Sequence, residues 1–588
     1  MFGAAHYAAM AVFAVACWGF GRALLARIGP PGRRDAALEA AMAAAAGLGL
    51  HVCVFQAIAI AGLFGRGAVI GTVALGLLAA VLQWPAWRRE RGPRLPSEPF
   101  GFVEKLALVA FVLTALPALV EPLAPPAAFD ELMYHLPYAR EVLQSGRLGV
   151  HEWLRYPWFP YNYNLIHAGA LAVGDDVLPH LLSALAGWLS VAMVYRLGAQ
   201  HASRLTGLVA AAIWLGIGDY ESALIDIGVA LFVLAACTAL WWWRESDDPA
   251  RGARWLALAA FFLGVAAGSK YQALTVLPLV AVFVVRRERR LKVWALALVC
   301  FLVPCIYWYA RNAVMTGDPF NPIGARLFGF TNWNAADYKN QFDDVRAHAA
   351  WPNGFLWGVL FVPFALAWKR SPAVRAAAVF SLYSLGVWAL TSRYPRYLAA
   401  SVPLIALVSV VGWQALLARL ADGLRRALPA WNARGLLDRA GRWLGVLLLL
   451  VGVGGSFYMT RRSVAAIATT PAERAAFLDA HVPGYAVMNY LREHATGRVY
   501  QIALSEAIYY GPAPVWGDAI GPWRYADFIV LPPAEFARKL RGLGFEAIAV
   551  GASAAPMLAA QPGFLDHFAL MYEKAGAKAY RILPAKND

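Results

Sequence analysis

The sequence predicts a polytopic α-helical membrane protein, with about thirteen to fourteen transmembrane helices, that carries a small soluble α/β domain at its C-terminus. Three observations predict it. Of 588 residues, 60% are hydrophobic and 15% charged, and the mean hydropathy is +0.52, far above that of a soluble globular chain. Apolar stretches long enough to cross roughly 30 Å of hydrocarbon as helices recur between residues 5 and 459. After residue 460 that composition ends, and helix-like segments alternate with short β-rich runs.

In order, the apolar spans fall at approximately 5–26, 36–62, 67–84, 103–120, 178–197, 205–218, 223–243, 254–269, 272–285, 292–310, 354–368, 375–391, 397–416 and 443–459. The stretches near 205–218, 272–285 and 354–368 are the shortest relative to the bilayer. No small-residue cleavage site follows the first span, so it reads as a permanent helix rather than a signal peptide. Residues 1–460 then form the membrane domain, and 461–588 a separate domain whose strands fall at "GRVYQIAL", "FEAIAVG" and "AKAYRIL". No internal repeat of the transporter type is present.

Alternate loops are rich in arginine: Arg27, Arg33 and Arg34; "RRERGPR" from Arg88; Arg196 and Arg204; "RRERRLK" from Arg286; Lys369, Arg370 and Arg375; and the segment Arg419 to Arg442. By the positive-inside rule these face the cytoplasm. Both termini, the long loop 121–177, the turn at 219–222, residues 311–352 and the turn 392–396 then face outward, as does the pair Arg461 and Arg462. The net charge of +16 is accounted for by these topology-setting arginines, and nucleic-acid binding is rejected. Cys17, Cys53, Cys237, Cys300 and Cys305 all lie inside apolar spans without C-x-x-C spacing, which indicates neither a disulfide framework nor a thiolate metal site.

The outer loop 121–177 carries the densest chemistry. It opens on "AFDELMYHLPYARE", with adjacent carboxylates Asp130 and Glu131, and continues through "HEWLRYPWFPYNYN". Its aromatics, taken alone, read as an interfacial belt at headgroup level. The acidic pair fits that reading less well, and an acid beside an aromatic cavity at membrane level is a candidate general base. Three further outer features converge in depth. Asp226 lies at the start of an apolar helix, where a buried acid is costly. Lys270 sits in a tight turn, and Arg393 and Arg396 flank a proline turn. Individually these are helix-end charges or snorkelling anchors; together they place acids and bases where a lipid-borne anionic group would react. His135, with Tyr134 beside it, is a supporting group, whereas His151, His167 and His180 read as structural. No H-E-x-x-H, G-x-S-x-G or Walker pattern occurs, which disfavours a zinc hydrolase or an ATPase.

Over approximately residues 120–410 this arrangement resembles the GT-C superfamily of integral membrane glycosyltransferases. The likeness is to the branch holding the protein O-mannosyltransferases, the aminoarabinose transferases and the rhizobial lipopolysaccharide sugar transferases. The resemblance rests on "FDELMYHLPYAREVLQSGRL", "SALIDIGVALF", "GVAAGSKYQALTVLPL", "YWYARNAVMTGDPFNP" and "RYPRYLAASVPLIAL", in that order and sidedness. It implies an inverting transferase of the bacterial inner membrane, acting on the periplasmic face. The donor would be a polyprenyl-phosphate-linked sugar and the acceptor a lipid, glycan or protein. It further implies Asp130 as general base with Glu131 beside it, Asp226 as the second acid, and Lys270, Arg393, Arg396 and Arg311 as cations for the donor phosphate. Some such enzymes need a divalent metal and others do not; the oxygen ligands on offer here are Asp130, Glu131 and Asp226. Relatives with a charge before Pro-Pro in the second half of the loop differ from this chain, which reads "WFPYNYNLIHAG" there. The alternatives are a flippase or transporter of a lipid-linked saccharide, with charges along a midplane path, an O-antigen ligase or polymerase, and a sensor or assembly protein.

Overall fold

The computed structural model describes residues 1–31, 35–90, 99–427 and 433–584. Arg33, Arg34, Arg91 and Arg94 of the arginine-rich loops lie outside them. In chain order the helices are α1 (Phe2–Ile28), α2 (Ala36–Ile60), α3 (Arg66–Glu90), α4 (Phe102–Thr114), α5 (Leu116–Val120), α6 (Leu136–Ser145) and α7 (Asn162–Val173). They continue with α8 (Leu178–His201), α9 (Arg204–Ile217), α10 (Asp226–Glu245), α11 (Pro249–Ala267), α12 (Leu277–Val285) and α13 (Leu291–Thr316). The rest of the membrane part comprises α14 (Ala325–Phe328), α15 (Ala335–Ala347), α16 (Leu366–Arg370), α17 (Pro372–Thr391), α18 (Val402–Ala427) and α19 (Ala433–Ala466).

Among the described residues ten helices are long and apolar enough to cross a membrane, and eleven when the pair α4 and α5, bent by 43°, counts as one. The three shortest sequence stretches form shorter apolar helices, Arg204–Ile217, Tyr271–Val285 and Gly354–Phe364. At 1.5 Å per residue, a helix of about fourteen residues reaches only ~21 Å, less than the hydrocarbon core. Two of the three also run partly or wholly as 3₁₀ turns, each with a proline nearby that removes an amide donor.

The bundle is packed through small residues. A Cβ on Gly21 would stand 1.7 Å from the Ala43 carbonyl oxygen, and one on Gly47 1.7 Å from that of Cys17, so α1 and α2 touch backbone to backbone. Gly47→Val is expected to destabilise the bundle by about 1–3 kcal/mol, read as a lower unfolding midpoint in nanodiscs; an unchanged midpoint would show that the two helices can separate freely.

The two ends of the bundle differ in charge. At one end Arg196 donates to Asp35 (2.8 Å), Arg254 to the Arg27 carbonyl (2.9 Å), and Arg287 to that of Arg244. The sequence-predicted acids lie at the other end: α10 begins at Asp226 and finishes at Glu245, about 30 Å of helix later.

Past α19 the chain forms a five-stranded sheet in the order β2-β1-β3-β5-β4, from β1 (Arg498–Ile502), β2 (Val515–Trp516), β3 (Phe545–Val550), β4 (Phe568–Lys574) and β5 (Ala577–Ile582). β1 pairs in parallel with β2 and β3, whereas β5 pairs antiparallel with β3 and β4. Tyr500, Ile548, Phe536, Leu540 and Phe568 fill its core. This unit sits on the acidic end of the bundle. Tyr510 donates to the Pro126 carbonyl (2.6 Å), Arg140 to that of Tyr509 (2.6 Å), and Arg474 pairs with Asp176 (2.6 Å).

Candidate active site

Asp130 precedes a single π-type turn, Glu131–His135, that runs directly into α6. Such a turn adds one residue to the helical path and re-aims the side chains beside it. Asp226 occupies the first turn of α10, where the helix dipole favours a carboxylate. Lys270 follows the C-terminal end of α11, the end that favours a cation. Arg396 lies in the 3₁₀ turn Pro395–Ser401 that feeds α18.

These four side chains, distant in sequence, form one continuous chain of ion pairs. The Arg396 guanidinium bonds the Asp130 carboxylate through Nη1 and, at 2.9 Å through Nε, Asp226 Oδ2. Lys270 Nζ reaches the other Asp226 oxygen at 2.6 Å. The set is reachable from solvent but mostly covered, with side chains of Asp130 and Arg396 each 23% exposed. Arg396 Nη2 is buried and has no hydrogen-bond partner, so one donor of the guanidinium is free for another acceptor. Burial pushes the Asp130 carboxyl up, but Arg396 beside it outweighs that and holds it below the ordinary carboxylate range. Burial pulls the Lys270 ammonium below its ordinary value against the opposing attraction of Asp226.

His135 and Tyr134 line the same place. Burial pushes the His135 ring down to about 3, so it is neutral; its Nδ1 lies 3.0 Å from Asn164 Nδ2 and its Nε2 has no partner. The Tyr134 ring lies against His135, at 4.1 Å between centroids, and edge-on to Tyr156.

Four sequence expectations need correction. Glu131 does not stand with Asp130: its side chain is 0% exposed and pairs with His180, while accepting from the amides of Ala223 (2.8 Å) and Ala128 (3.2 Å). The π-type turn directs the two neighbouring carboxylates apart. Arg393 is exposed, with φ of 51°, and covers Trp351. Arg311 is buried outside the ion-pair chain, against the rings of Trp158 and Trp308 and bonded to Asn312 (2.9 Å). The loop aromatics are likewise no headgroup belt. Trp158, Tyr161 and Tyr163 are buried at 5%, 1% and 0%, packing the loop into the bundle.

Two residues escaped the sequence reading. His180, counted there as structural, holds Glu131 and so ties the Asp130 turn to the start of α8. Removing its imidazole leaves a fully buried carboxylate with only the two amide donors of Ala223 and Ala128. His180→Leu is therefore expected to cost about 3–5 kcal/mol, measured by thermal unfolding, and a midpoint equal to wild type would refute the clamp. Arg155 spans the loop and the C-terminal sheet unit, with Nη2 2.5 Å from Asp518 Oδ1, and its guanidinium covers the Phe129 ring. Its only sequence signal was a charge within an aromatic run.

The acids do not converge as metal ligands. Asp130 and Asp226 share Arg396 between them, Glu131 faces His180, and no group of three His, Cys, Asp or Glu among the described residues could hold an ion.

Comparison with known proteins places this geometry in context. Residues 152–321 match the model of the dolichyl-phosphate-mannose-protein mannosyltransferase family, and residues 473–581 match the model described as SF2091/S2213. Two uncharacterised proteins of Shigella flexneri are similar over short stretches. SF2093/S2215 is 37% identical over 82 residues, 14% of this chain and 39% of that one. SF2092/S2214 is 29% identical over 68 residues, 12% and 37% respectively. The chain thus spans less than half the length of these curated relatives. Among solved structures, ArnT from Cupriavidus metallidurans bound to undecaprenyl phosphate superposes with a TM-score of 0.50 at 16% identity, covering 82% of this chain and 98% of that one. The apo oligosaccharyltransferase of Archaeoglobus fulgidus gives 0.50 at 12% identity, covering 82% and 74%. Both are GT-C glycosyltransferases, and the fold of this multi-pass chain is theirs.

Proposed function

We propose that the protein is an inverting glycosyltransferase that moves a sugar from a polyprenyl-phosphate donor to an acceptor hydroxyl. The observation that carries this reading is the ion-pair chain Asp130, Arg396, Asp226, Lys270 at one end of a GT-C bundle. The mannosyltransferase family match, and the undecaprenyl phosphate bound by the structurally similar ArnT, support the lipid-phosphate donor. Arginines gathered at the opposite end support a site facing outward, in a bacterial inner membrane toward the periplasm.

The chemistry follows from the charges. The anomeric C–O bond of the donor breaks with its electron pair moving to the phosphate oxygen, while the acceptor oxygen forms the new bond from the opposite face. Its proton passes to Asp130. Arg396 and Lys270 receive the growing negative charge on the departing phosphate, in surroundings where little water screens them. Asp226 holds both cations in place. In the free protein Arg396 lowers the basicity of Asp130. Donor phosphate competes for the same guanidinium, and so restores that basicity when a reaction can follow. Glu131 acts by fixing the turn.

The test is incubation of the purified full chain with a panel of radiolabelled polyprenyl-phosphate sugars and with membrane lipid, glycan and protein acceptors. Transfer, or slow donor hydrolysis, supports the reaction class and names the sugar. Donor binding without turnover would overturn it in favour of transport of a lipid-linked saccharide.

A further inference from the structure

A second cavity opens at the same end of the bundle. It has a volume of about 530 Å³ and is lined by α4, α5, α9 and α19 together with the segment after α9, within the roughly 300–1,000 Å³ of small-ligand sites. Its walls are apolar and run along α9 from Val209 to Ile217 and along α19 from Leu448 to Met459. At 1.5 Å per residue that is about 12–16 Å, the depth of one leaflet.

The mouth of this groove is acidic. Glu121, Asp219 and Glu221 line it, and none of them forms a salt bridge among the described residues, in a chain whose net charge is +16. Elsewhere the acids at this end do have partners: Asp130, Asp226 and Asp176 each pair with an arginine. Burial pushes Asp219 up to about 6 against Ser222 and Arg396, and the neighbouring Glu221 and Glu131 add to it. A second observation points to a ligand. Tyr220 lines the groove, is 1% exposed, and its hydroxyl has no partner; burial pushes the phenol up, and Glu121 adds to it. A buried hydroxyl left unpaired costs about 1–3 kcal/mol. The acids do not converge as metal ligands, so the missing cation is one that spreads its donors.

We propose that the groove binds a lipid whose headgroup carries a primary ammonium, with its acyl chain between α9 and α19 and its three N–H donors among Glu121, Asp219, Glu221 and the Tyr220 hydroxyl. An ammonium on an acyl chain matches both parts of the cavity, and the surrounding leaflet supplies it. The site is separate from the ion-pair chain and does not depend on the transferase reading.

The experiment uses the full chain without donor, in nanodiscs of equal parts phosphatidylethanolamine and phosphatidylglycerol. Lipids that stay bound after extraction into detergent are read by native mass spectrometry. The expected result is an enrichment of phosphatidylethanolamine of about tenfold or more, which corresponds to ~1.4 kcal/mol. The enrichment should vanish with N-acetyl phosphatidylethanolamine, which keeps the phosphate and chains but lacks the ammonium. It should also vanish in the triple variant Glu121→Gln, Asp219→Asn, Glu221→Gln, and in Gly216→Phe. Gly216 lines the groove, and a Cβ there would meet nothing within 4 Å, so that ring enters the groove without a clash at its root. Equal retention of the N-acetylated lipid by the wild type would overturn the proposal without any variant. So would unchanged enrichment in the triple variant.

Discussion

Asp130→Asn is expected to lower sugar transfer by about 10²–10⁴-fold, the usual contribution of a positioned general base, while insertion, abundance and donor binding stay intact. Donor affinity should be equal or higher, because the amide releases Arg396 from one of its two carboxylates. A single-turnover assay with saturating donor checks this, and retained turnover above about a tenth of wild type would remove the role. The pH dependence adds a second readout. Asp130 lies below its ordinary value, ~3.9, so it is ionised in the free protein at neutral pH, and the acid limb it sets in kcat/KM falls below about pH 4. In the donor complex Arg396 is shared with phosphate, and the limb in kcat is expected at higher pH. Stability follows the same carboxyl. A group whose folded-state pKa is depressed contributes stability above its unfolded value and loses it as pH falls through the folded one. Wild type should lose that contribution on acidification below about pH 4, and Asp130→Asn should not.

The parts of the fold legible in the sequence were those in which a single property decides the outcome. Length and hydropathy marked every long helix, and the strands within "GRVYQIAL", "FEAIAVG" and "AKAYRIL" were read from local pattern. β2, only two residues long, was not, and neither was β4, because "FALMYEK" is half exposed and is held as a strand by pairing with β5. The candidate site shows the same division. Asp130, Asp226, Lys270 and Arg396 stood out because charge is rare in such a chain, and their meeting follows from all lying at one end of the bundle. Direction was invisible. Glu131 is adjacent to Asp130, yet the π-type turn sends it to His180, 49 residues away. Arg393 is three positions from Arg396, but its left-handed backbone turns it outward. Arg311 reads as an outer cation and lies instead against Trp158 of the packed loop and Trp308 of α13. Sequence gives residue type and depth, whereas orientation depends on local backbone geometry and on distant partners.

Arg396→Gln is expected to have the largest effect on donor binding. The guanidinium touches both acids and keeps a buried donor, Nη2, free for an incoming oxygen. Losing a desolvated, hydrogen-bonded charge of this kind typically costs about 2–5 kcal/mol, so donor affinity should fall by roughly 30-fold to several thousandfold. Two further consequences separate this from general damage. With Arg396 gone, burial is no longer outweighed at Asp130, and the acid limb of kcat/KM should move up, past the ordinary carboxylate range. Asp226 keeps Lys270 at 2.6 Å, so the protein should still fold. Lys270→Met provides the contrast: Arg396 then still bridges both acids, donor binding should fall less, and the acid limb should move less. Isothermal titration with a short-chain polyprenyl phosphate, alongside pH profiles of both variants, measures each effect. Unchanged donor affinity in both would detach the cations from the phosphate and leave them as supports for Asp130 and Asp226 alone. A weaker Arg396→Gln complex with an unmoved acid limb would keep Arg396 as the phosphate ligand but dismiss it as the group that tunes the base.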